Sequence, residues 1–378
     1  MNKSMLSVDE ALAFLLAGAR PVGDIEQVPT LTASGRVLAR AQHSTLDVPP
    51  LDNTSMDGYA VYAADCASGA ARLPVSQRIP AGSVPQPLAR GTAARIFTGA
   101  PVPPGADAVV MQEQCAQDGD AVIVKHRPQA GEWVRRVGED IRAGAEILAA
   151  GMKLRPQDTG LAASVGIAAL PLYRRLKVAV FFTGDELVMP GAIPGPGQIV
   201  YSNGYALRAL ARHEGAEILV TTGGASVGDH DLVKRSLEAE GVTMAFWKIA
   251  MRPGKPMMHG RLGAMRVIGL PGNPVSSYVC AFLFLVPLIR ALSGCSAVRH
   301  APETALLGRD VAANDVREDY LRARLERRGD GALIATPVDH QDSSLLGNLA
   351  AARALVLRPS FAPKAAAGSP CDILRLPA

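Results

Sequence analysis

The feature that most constrains this chain is a threefold alternation of an apolar strand, a glycine-rich polar turn and a helix between residues 177 and 292. The three strands read KVAVFF, ILVTT and VIGL, and almost every residue in them is apolar. Such strands are typical of a parallel sheet that is covered by helices on both faces. The pattern therefore predicts a three-layer α/β/α domain with a mostly parallel sheet, spanning 176–296.

The rest of the chain predicts a multidomain protein of α/β plus β class. Residues 46–140 carry short apolar runs between Pro and Gly clusters, which predicts an inserted β-rich domain. The segments 1–45 and 141–175 are predicted to form a discontinuous N-terminal helical and linker domain. Residues 297–378 contain several short strands and predict a small C-terminal β-barrel-like domain.

Composition excludes several classes of protein. The net charge is only +4 and no long run of Lys or Arg occurs, so a nucleic-acid partner is not expected. The five cysteines form no Cys-x-x-Cys pair, which argues against a disulfide framework or a thiolate zinc site. The apolar run 275–288 is too short to cross a membrane and predicts a buried helix. The N-terminal stretch predicts a helix capped at Ser7 with Glu10 in capping-box position, rather than a signal peptide, and a cytoplasmic location is expected.

The three polar turns lie where the parallel strands end, the edge at which open α/β sheets bind ligands. The turn 183–186 carries two carboxylates, and the turn 222–229 precedes a predicted helix whose free N–H groups suit an anion. The turn 270–274 enters the third helix, with Pro274 in its first turn. Ordinary helix capping explains each turn alone. Three of them at one edge favour an anion-binding site.

Three cations, Lys248, Arg252 and Lys255, lie within eight residues in the segment FWKIAMRPGKP. Two prolines stiffen this loop, which suits binding of an oxyanion or a phosphate, although a solvated charged loop is the alternative. The β-rich zone adds carboxylates in the turns SMDGYA and GED. These are ordinary turns unless a magnesium ion bridges carboxylates and a phosphate.

Taken together, these segments resemble one family, the molybdopterin molybdenumtransferases of MoeA and gephyrin E-domain type. The resemblance covers nearly the whole chain and rests on eight segments in their usual order: SMDGYAV, RIFTGAPVPPGADAVVMQE, GED, FFTGDEL, GQIVYSN, TTGGASVGDHD, FWKIAMRPGKP and GLPGNPVS. It implies insertion of molybdate into adenylylated molybdopterin with Mg²⁺-dependent release of AMP, the last step of molybdenum cofactor assembly. It also implies a homodimer whose cleft lies between the sheet domain of one subunit and the β-rich domain of the other.

The resemblance assigns roles to matching positions. The catalytic residues would be Asp57, Thr98, Asp140, Glu186 and Asp231, of which Glu186 and Asp231 would also hold the metal. The residues that bind substrate and oxyanion would be Ser226, Gly228, Lys248, Arg252, Lys255, Pro271, Pro274, Ser276, Arg322 and Ser344, with Ser343 as the alternative to Ser344. The implied protein partners are the preceding adenylyltransferase and the proteins that mature molybdoenzymes; no nucleic acid or membrane is expected.

The sequence departs from the family at one point. Only two residues separate Gly215 from the strand that begins at Ile218, where the family has about one more strand and helix. A βα unit of roughly 30 residues is therefore predicted to be missing, and the sheet must close the gap or expose an edge. Two alternatives to the enzyme stay open, a dimeric scaffold that binds molybdopterin without turnover and the adenylyltransferase that precedes this step.

Overall fold

The computed structural model describes residues 5–182, 187–200, 218–222, 237–239 and 241–377. The helices bounded within these ranges are α1 (Val8–Leu16), α2 (Pro156–Ser164), α3 (Pro274–Cys280), α4 (Val286–Leu292) and α5 (Leu346–Ala351). A π-helical turn, Ala281–Leu285, joins α3 to α4. Short 3-10 turns occur at Thr30–Thr32, Ala63–Cys66 and Gln112–Gln114.

The strands fall into two groups along the chain. The strands before residue 175 are β1 (Ile25–Pro29), β2 (Gln42–His43), β3 (Asn53–Thr54), β4 (Gly58–Val61), β5 (Ala71–Ile79), β6 (Ala93–Ile96), β7 (Ala108–Met111), β8 (Cys115–Asp118), β9 (Ala121–Val124), β10 (Val134–Arg135), β11 (Glu146–Leu148) and β12 (Ala169–Tyr173). The later strands are β13 (Val178–Phe182), β14 (Leu187–Val188), β15 (Ile199–Val200), β16 (Ile218–Thr222), β17 (Thr243–Lys248), β18 (Met251–Arg252), β19 (Pro256–Leu262), β20 (Met265–Leu270), β21 (Glu303–Leu307), β22 (Glu318–Arg327), β23 (Leu333–Pro337), β24 (Ala354–Arg358) and β25 (Pro370–Arg375).

The first helix begins where the sequence predicts. Ser7 Oγ accepts a hydrogen bond from the Glu10 backbone N–H at 3.1 Å, and the Glu10 carboxylate accepts one from the Ser7 N–H at 2.8 Å. This reciprocal pair is a capping box, so the predicted cap is confirmed. The apolar face of α1 packs into the core of the α/β domain, where Ala11 and Leu15 are fully buried.

The α/β domain contains a sheet with the strand order β13-β16-β20-β19-β17. β13, β16 and β20 are parallel, as predicted, whereas β19 and β17 run antiparallel to their neighbours. The antiparallel part forms because no helix separates these strands in the sequence, and short connections join only antiparallel strands. β13 pairs directly with β16 and is the edge strand of the part of this sheet that is described. The helices predicted to follow the first two of the three apolar strands lie outside the described residues, except for 237–239, which are helical.

The longest apolar helix is a core element. The run Pro274–Leu292 is long and apolar enough to cross a membrane by composition, but 83% of its 18-residue window is buried inside the protein. The segment begins at Pro274, whose missing N–H costs nothing in the first turn. The π-helical turn ends at Leu285, and α4, which follows at once, has Pro287 in its first turn. The prediction of a buried helix is confirmed.

The β-rich domain and the C-terminal domain each contain a six-stranded sheet. In the β-rich domain the order is β7-β4-β6-β5-β9-β8, with apolar side chains buried on both faces. The C-terminal strands run β18-β22-β23-β21-β25-β24, and an additional β22–β24 pairing closes a small barrel. The predicted fold class is therefore confirmed, while the domain boundaries stay predictions. β18 comes from the cationic loop of the α/β domain, so this loop is joined to the barrel by backbone pairing.

Candidate active site

The cationic loop 248–255 is held rigidly between three elements. The Leu6 N–H donates to Lys248 O at 2.9 Å, and the Ile249 N–H donates to Lys255 O at 2.8 Å, which closes the loop. Gly254 has φ +111°, and a Cβ there would lie 2.4 Å from Cys280 Sγ in α3. Only glycine allows the loop to approach the helix so closely. The side chains of Lys248 and Lys255 therefore emerge, exposed, from a fixed backbone.

Arg252, the third cation, pairs with carboxylates of the barrel. Its guanidinium contacts Asp315 at 2.5 Å and Asp319 at 3.4 Å. Hydrogen bonds from Arg317 lower the pKa of Asp315 to about 2, and the nearby Arg252 adds to this. Burial raises the pKa of Asp319. Arg252 thus joins the loop to the barrel. To act as the predicted oxyanion ligand, its guanidinium would have to bind the anion while it is paired with these two acids.

The turn before α3 contacts the barrel through Ser343. Asn273 Nδ2 donates to Ser343 Oγ at 2.7 Å, and the Val275 N–H donates to Ser343 O at 3.1 Å. Pro271 is buried in this turn, and Ser276 is only 6% exposed. The turn that ends the parallel strand β20 therefore meets the loop 339–345 at one junction.

Arg322 is the most buried charged residue of this junction, with 1% of its surface exposed. Its Nη2 donates to Asp342 O at 3.0 Å, while its Nε has no hydrogen-bond partner. Burial lowers the pKa of the guanidinium. The carboxylate of Asp342 opposes this effect, but no described carboxylate forms an ion pair with the guanidinium, and a buried cation is unfavourable unless an anion completes the site. Arg322 is therefore the strongest candidate oxyanion ligand among the described residues.

Ser343 fits this site better than Ser344. The Ser344 hydroxyl donates to Asp342 Oδ1 at 2.6 Å, so its proton is already used within its own turn. The Ser343 hydroxyl accepts from Asn273, which leaves its proton for a ligand oxygen. Asn273 is absent from the residues favoured by sequence, and Ser343 was named only as the alternative to Ser344. Asn in the turn Leu-Pro-Gly-Asn-Pro was the available signal for Asn273, whereas no local pattern marks Ser343.

A second cluster lies in the β-rich domain. Thr98 donates from both its backbone N–H and its hydroxyl to Asp57 Oδ1, at 2.7 and 2.8 Å. These bonds, with a smaller contribution from Arg95, lower the pKa of Asp57 and keep it ionised. The next residue must be glycine, because a Cβ at Gly58 would lie 1.9 Å from Val110 O on the paired strand β7. Asp57 and Thr98, both predicted for the β-rich side of the cleft, are therefore in direct contact, and their catalytic role stays a prediction.

The remaining predicted residues do not join either cluster in the part of the chain that the structure describes. Asp140 is exposed, and its N–H donates to Val48 O in the connection between domains. The predicted residues that lie outside the described ranges are Glu186, Ser226, Gly228 and Asp231. No described hydrogen bond or ion pair links Asp57 or Thr98 to the junction at Arg322 within one chain.

Comparison with known proteins identifies the family. Residues 6–166 match the MoeA N-terminal region (domain I and II), 210–291 match a probable molybdopterin binding domain, and 304–376 match the MoeA C-terminal region (domain IV). A molybdopterin molybdenumtransferase from Nostoc sp. is 36% identical over 94% of this chain and 89% of its own length. The chain belongs to the MoeA family. The family predicted from the sequence is thereby confirmed.

Two further members of the MoeA family cover nearly all of the chain. Molybdopterin molybdenumtransferase 2 of Mycobacterium tuberculosis is 33% identical over 98% of this chain and 99% of its own length. A crystal structure of the molybdopterin biosynthesis MoeA protein from Pyrococcus horikoshii has a TM-score of 0.86 at 28% identity, and covers 99% of this chain and 100% of that chain. The described parts of the chain therefore have the MoeA fold.

The alignment with the mycobacterial protein also bears on the predicted missing unit. It extends over 413 positions but takes in 98% of a 378-residue chain, about 370 residues. About 40 positions of that MoeA relative thus have no counterpart here. This number is compatible with the loss of a βα unit of roughly 30 residues plus small gaps elsewhere.

Proposed function

We propose that this chain is a molybdopterin molybdenumtransferase, which inserts molybdate into adenylylated molybdopterin with Mg²⁺-dependent release of AMP. Membership of the MoeA family supports the reaction class. The main support is the buried guanidinium of Arg322, whose Nε has no partner and whose Nη2 donates to the carbonyl of Asp342, the residue directly before Ser343. Molybdate is a tetrahedral dianion, and such groups suit the recognition of oxyanions by charge and directed N–H and O–H donors.

The residues of the junction divide the work. Arg322 holds the dianion at the base of the site, and Ser343 donates to one of its oxygens. Lys248 and Lys255 are exposed at the two ends of the cationic loop 248–255, where they attract and neutralise incoming anions. Because Arg252 is already opposed by Asp315 and Asp319, its part is to fix the loop against the barrel.

Glu186 and Asp231, to which the resemblance assigns the magnesium ion, lie outside the described residues, and Asp57 is the described acid that fits such an ion. Asp57 is ionised, and only one of its carboxylate oxygens accepts the Thr98 bonds. Mg²⁺ is commonly bound by one or two carboxylates together with substrate phosphates. Within the described residues no group of three or more His, Cys, Asp or Glu lies together, so the ion would depend on phosphate oxygens. When bound, it would neutralise the phosphate charge as AMP leaves.

The proposal includes a cytoplasmic homodimer. In one chain no described hydrogen bond or ion pair joins Asp57 to Arg322. A second copy would bring the β-rich domain of one subunit against the sheet domain of the other, as the resemblance implies. Magnesium, adenylylated molybdopterin, the preceding adenylyltransferase and the molybdoenzyme maturation proteins all belong to this proposal.

The test is the release of AMP from adenylylated molybdopterin by the full chain, with and without molybdate and with and without Mg²⁺. We expect release that depends on both. The isosteric Asp57→Asn variant should lose at least 100-fold in rate, because the amide oxygen still accepts from Thr98 while the charge is gone. Asp118→Asn is the matched control, since Asp118 is an exposed acid of the same domain that pairs with Arg72.

A second candidate function is a scaffold that binds molybdopterin without turnover. The roughly 40 alignment positions without counterpart in this chain favour it, because they would remove part of the sheet domain. Pterin binding without AMP release from a folded sample would select the scaffold. Consumption of ATP would instead select the preceding adenylyltransferase.

A further inference from the structure

Three neighbouring strands of the β-rich sheet, β4, β6 and β5, carry a row of two arginines and two aromatic rings that lies next to Asp57 and Thr98 in the chain. In the strand register Arg78 of β5 lies beside Arg95 of β6, and Arg95 lies beside Tyr59 of β4. Phe97 follows β6 and directly precedes Thr98 in the chain. The row is therefore continuous with the acidic cluster that the proposed function uses.

Both guanidinium groups pack on the same aromatic ring. The guanidinium carbon of Arg78 is 4.8 Å from the centroid of Phe97, and that of Arg95 is 4.6 Å from it. Arg95 is also 5.2 Å from the Tyr59 centroid. The two guanidinium carbons are thus at most about 9 Å apart, and contact with the ring restricts their side chains.

Neither arginine forms an ion pair within the described residues, although the charge of Arg95 acts on nearby Asp57. Arg95 donates to neutral oxygens, Gly58 O at 2.8 Å and Gln112 Oε1 at 2.6 Å, and retains further N–H donors. Arg78 is exposed, and no ion pair joins it to a described carboxylate. Like charges directly opposite each other on neighbouring strands are destabilising. An anion that bridges them would relieve this repulsion.

The same domain provides a contrasting pair. The Arg90 guanidinium carbon lies 4.0 Å from the centroid of Tyr62, so it has the same kind of ring contact. Its Nη1 is 3.3 Å from Asp65 Oδ1, so its charge is compensated by a carboxylate. An arginine that packs on an aromatic ring of this domain can therefore also form an ion pair, which Arg78 and Arg95 do not.

We propose that Arg78 and Arg95, fixed on Phe97, bind the phosphate of a nucleoside monophosphate. The inference rests on the proposed function, in which the group released is AMP, and it assigns this phosphate to the arginine row beside Asp57. Arg95 supplies a fixed donor pair, and Arg78 supplies the exposed fork that closes on the phosphate oxygens.

The experiment measures the affinity of the full chain for AMP by calorimetry at two salt concentrations. We expect Arg78→Gln to weaken AMP binding about tenfold and to reduce its salt dependence, because one phosphate contact is lost. Arg78→Lys should lie between Arg78→Gln and the unchanged protein, since it keeps the charge but not the fork. Arg90→Gln, the matched control, should change AMP affinity less than twofold.

A second measurement uses the repulsion between the arginines. Without ligand, Arg78→Gln should melt at a higher temperature than the unchanged protein, and saturating AMP should reverse this order. Equal AMP affinity of Arg78→Gln and Arg90→Gln, or no AMP binding by the unchanged protein, would overturn the inference. Failure of molybdate-dependent AMP release with AMP affinity still dependent on Arg78 would reject the proposed function and leave this site standing.

Discussion

Replacement of Arg322 by Met separates a binding role of this residue from a structural one. Met has a similar length and can fill the buried space without a charge. The change removes the hydrogen bond to Asp342 O, which costs about 1.5–3 kcal/mol for a charged donor. Asp342 is exposed, so water can replace the lost donor and reduce this cost. Replacement of buried charge pairs by well-packed apolar side chains returns about 1–4 kcal/mol, and Arg322, which is opposed by the charge of Asp342 without a close ion pair, falls in this class.

The two contributions nearly cancel, so we expect the free energy of unfolding to change by less than about 1 kcal/mol. The affinity for molybdate should fall much more. Loss of a charged donor to a buried dianion costs about 3 kcal/mol, which is a factor of roughly 100 in the dissociation constant. A protein that is as stable as before but binds molybdate about 100-fold more weakly is the expected result.

The assay combines denaturant unfolding with a molybdate titration followed by calorimetry. Arg358→Met is the matched control, because Arg358 belongs to the same barrel and its Nε is also buried without a partner. Its Nη2 donates to Ala312 O and Pro363 O, so its loss should cost stability and leave molybdate affinity within twofold. A destabilisation of 3 kcal/mol or more by Arg322→Met with unchanged molybdate affinity would refute the binding role.

Three further predictions concern the scaffold of the site. Gly58→Ala should destabilise the β-rich domain by about 3 kcal/mol and lower activity, because the new Cβ would lie 1.9 Å from Val110 O. Gly160→Ala, at an open position inside a helix, should instead stabilise the protein by about 1 kcal/mol. Thermal unfolding of the two variants measures the difference. Phe361→Gly should stabilise the barrel by about 0.5–1 kcal/mol, since Phe361 is 72% exposed with φ +60°, and equal or lower stability in denaturant would contradict this. The pKa of Asp315 is lowered to about 2, so its contribution is complete above pH 4 and is lost as the pH falls towards 2; unfolding across this range should show the loss, and Asp315→Asn should remove it.

Local patterns in the sequence predict much of this protein. The capping box at Ser7 and Glu10, the buried helix that starts at Pro274 and the parallel part of the sheet all follow from spacing over a few residues. The position of the turn before α3, between a parallel strand and a helix start, was also predictable, while its role in binding stays a prediction. These features depend on short-range chemistry that any such sequence shares.

Contacts between distant parts of the chain were not predictable from spacing. Arg252 meets Asp315 across 63 residues, and Asn273 meets Ser343 across 70. No periodicity in the sequence marks such partners, since the closure of the barrel brings them together. For the same reason Ser344, a close neighbour of the right residue type, was favoured although its hydroxyl is engaged by Asp342.

Anomalous diffraction at the molybdenum edge, from crystals of the full chain soaked in molybdate, tests directly whether Arg322 and Ser343 bind this anion. We expect one strong anomalous peak within hydrogen-bonding distance of the Arg322 guanidinium and the Ser343 hydroxyl. Peaks only elsewhere, with this junction empty at saturating molybdate, would contradict it.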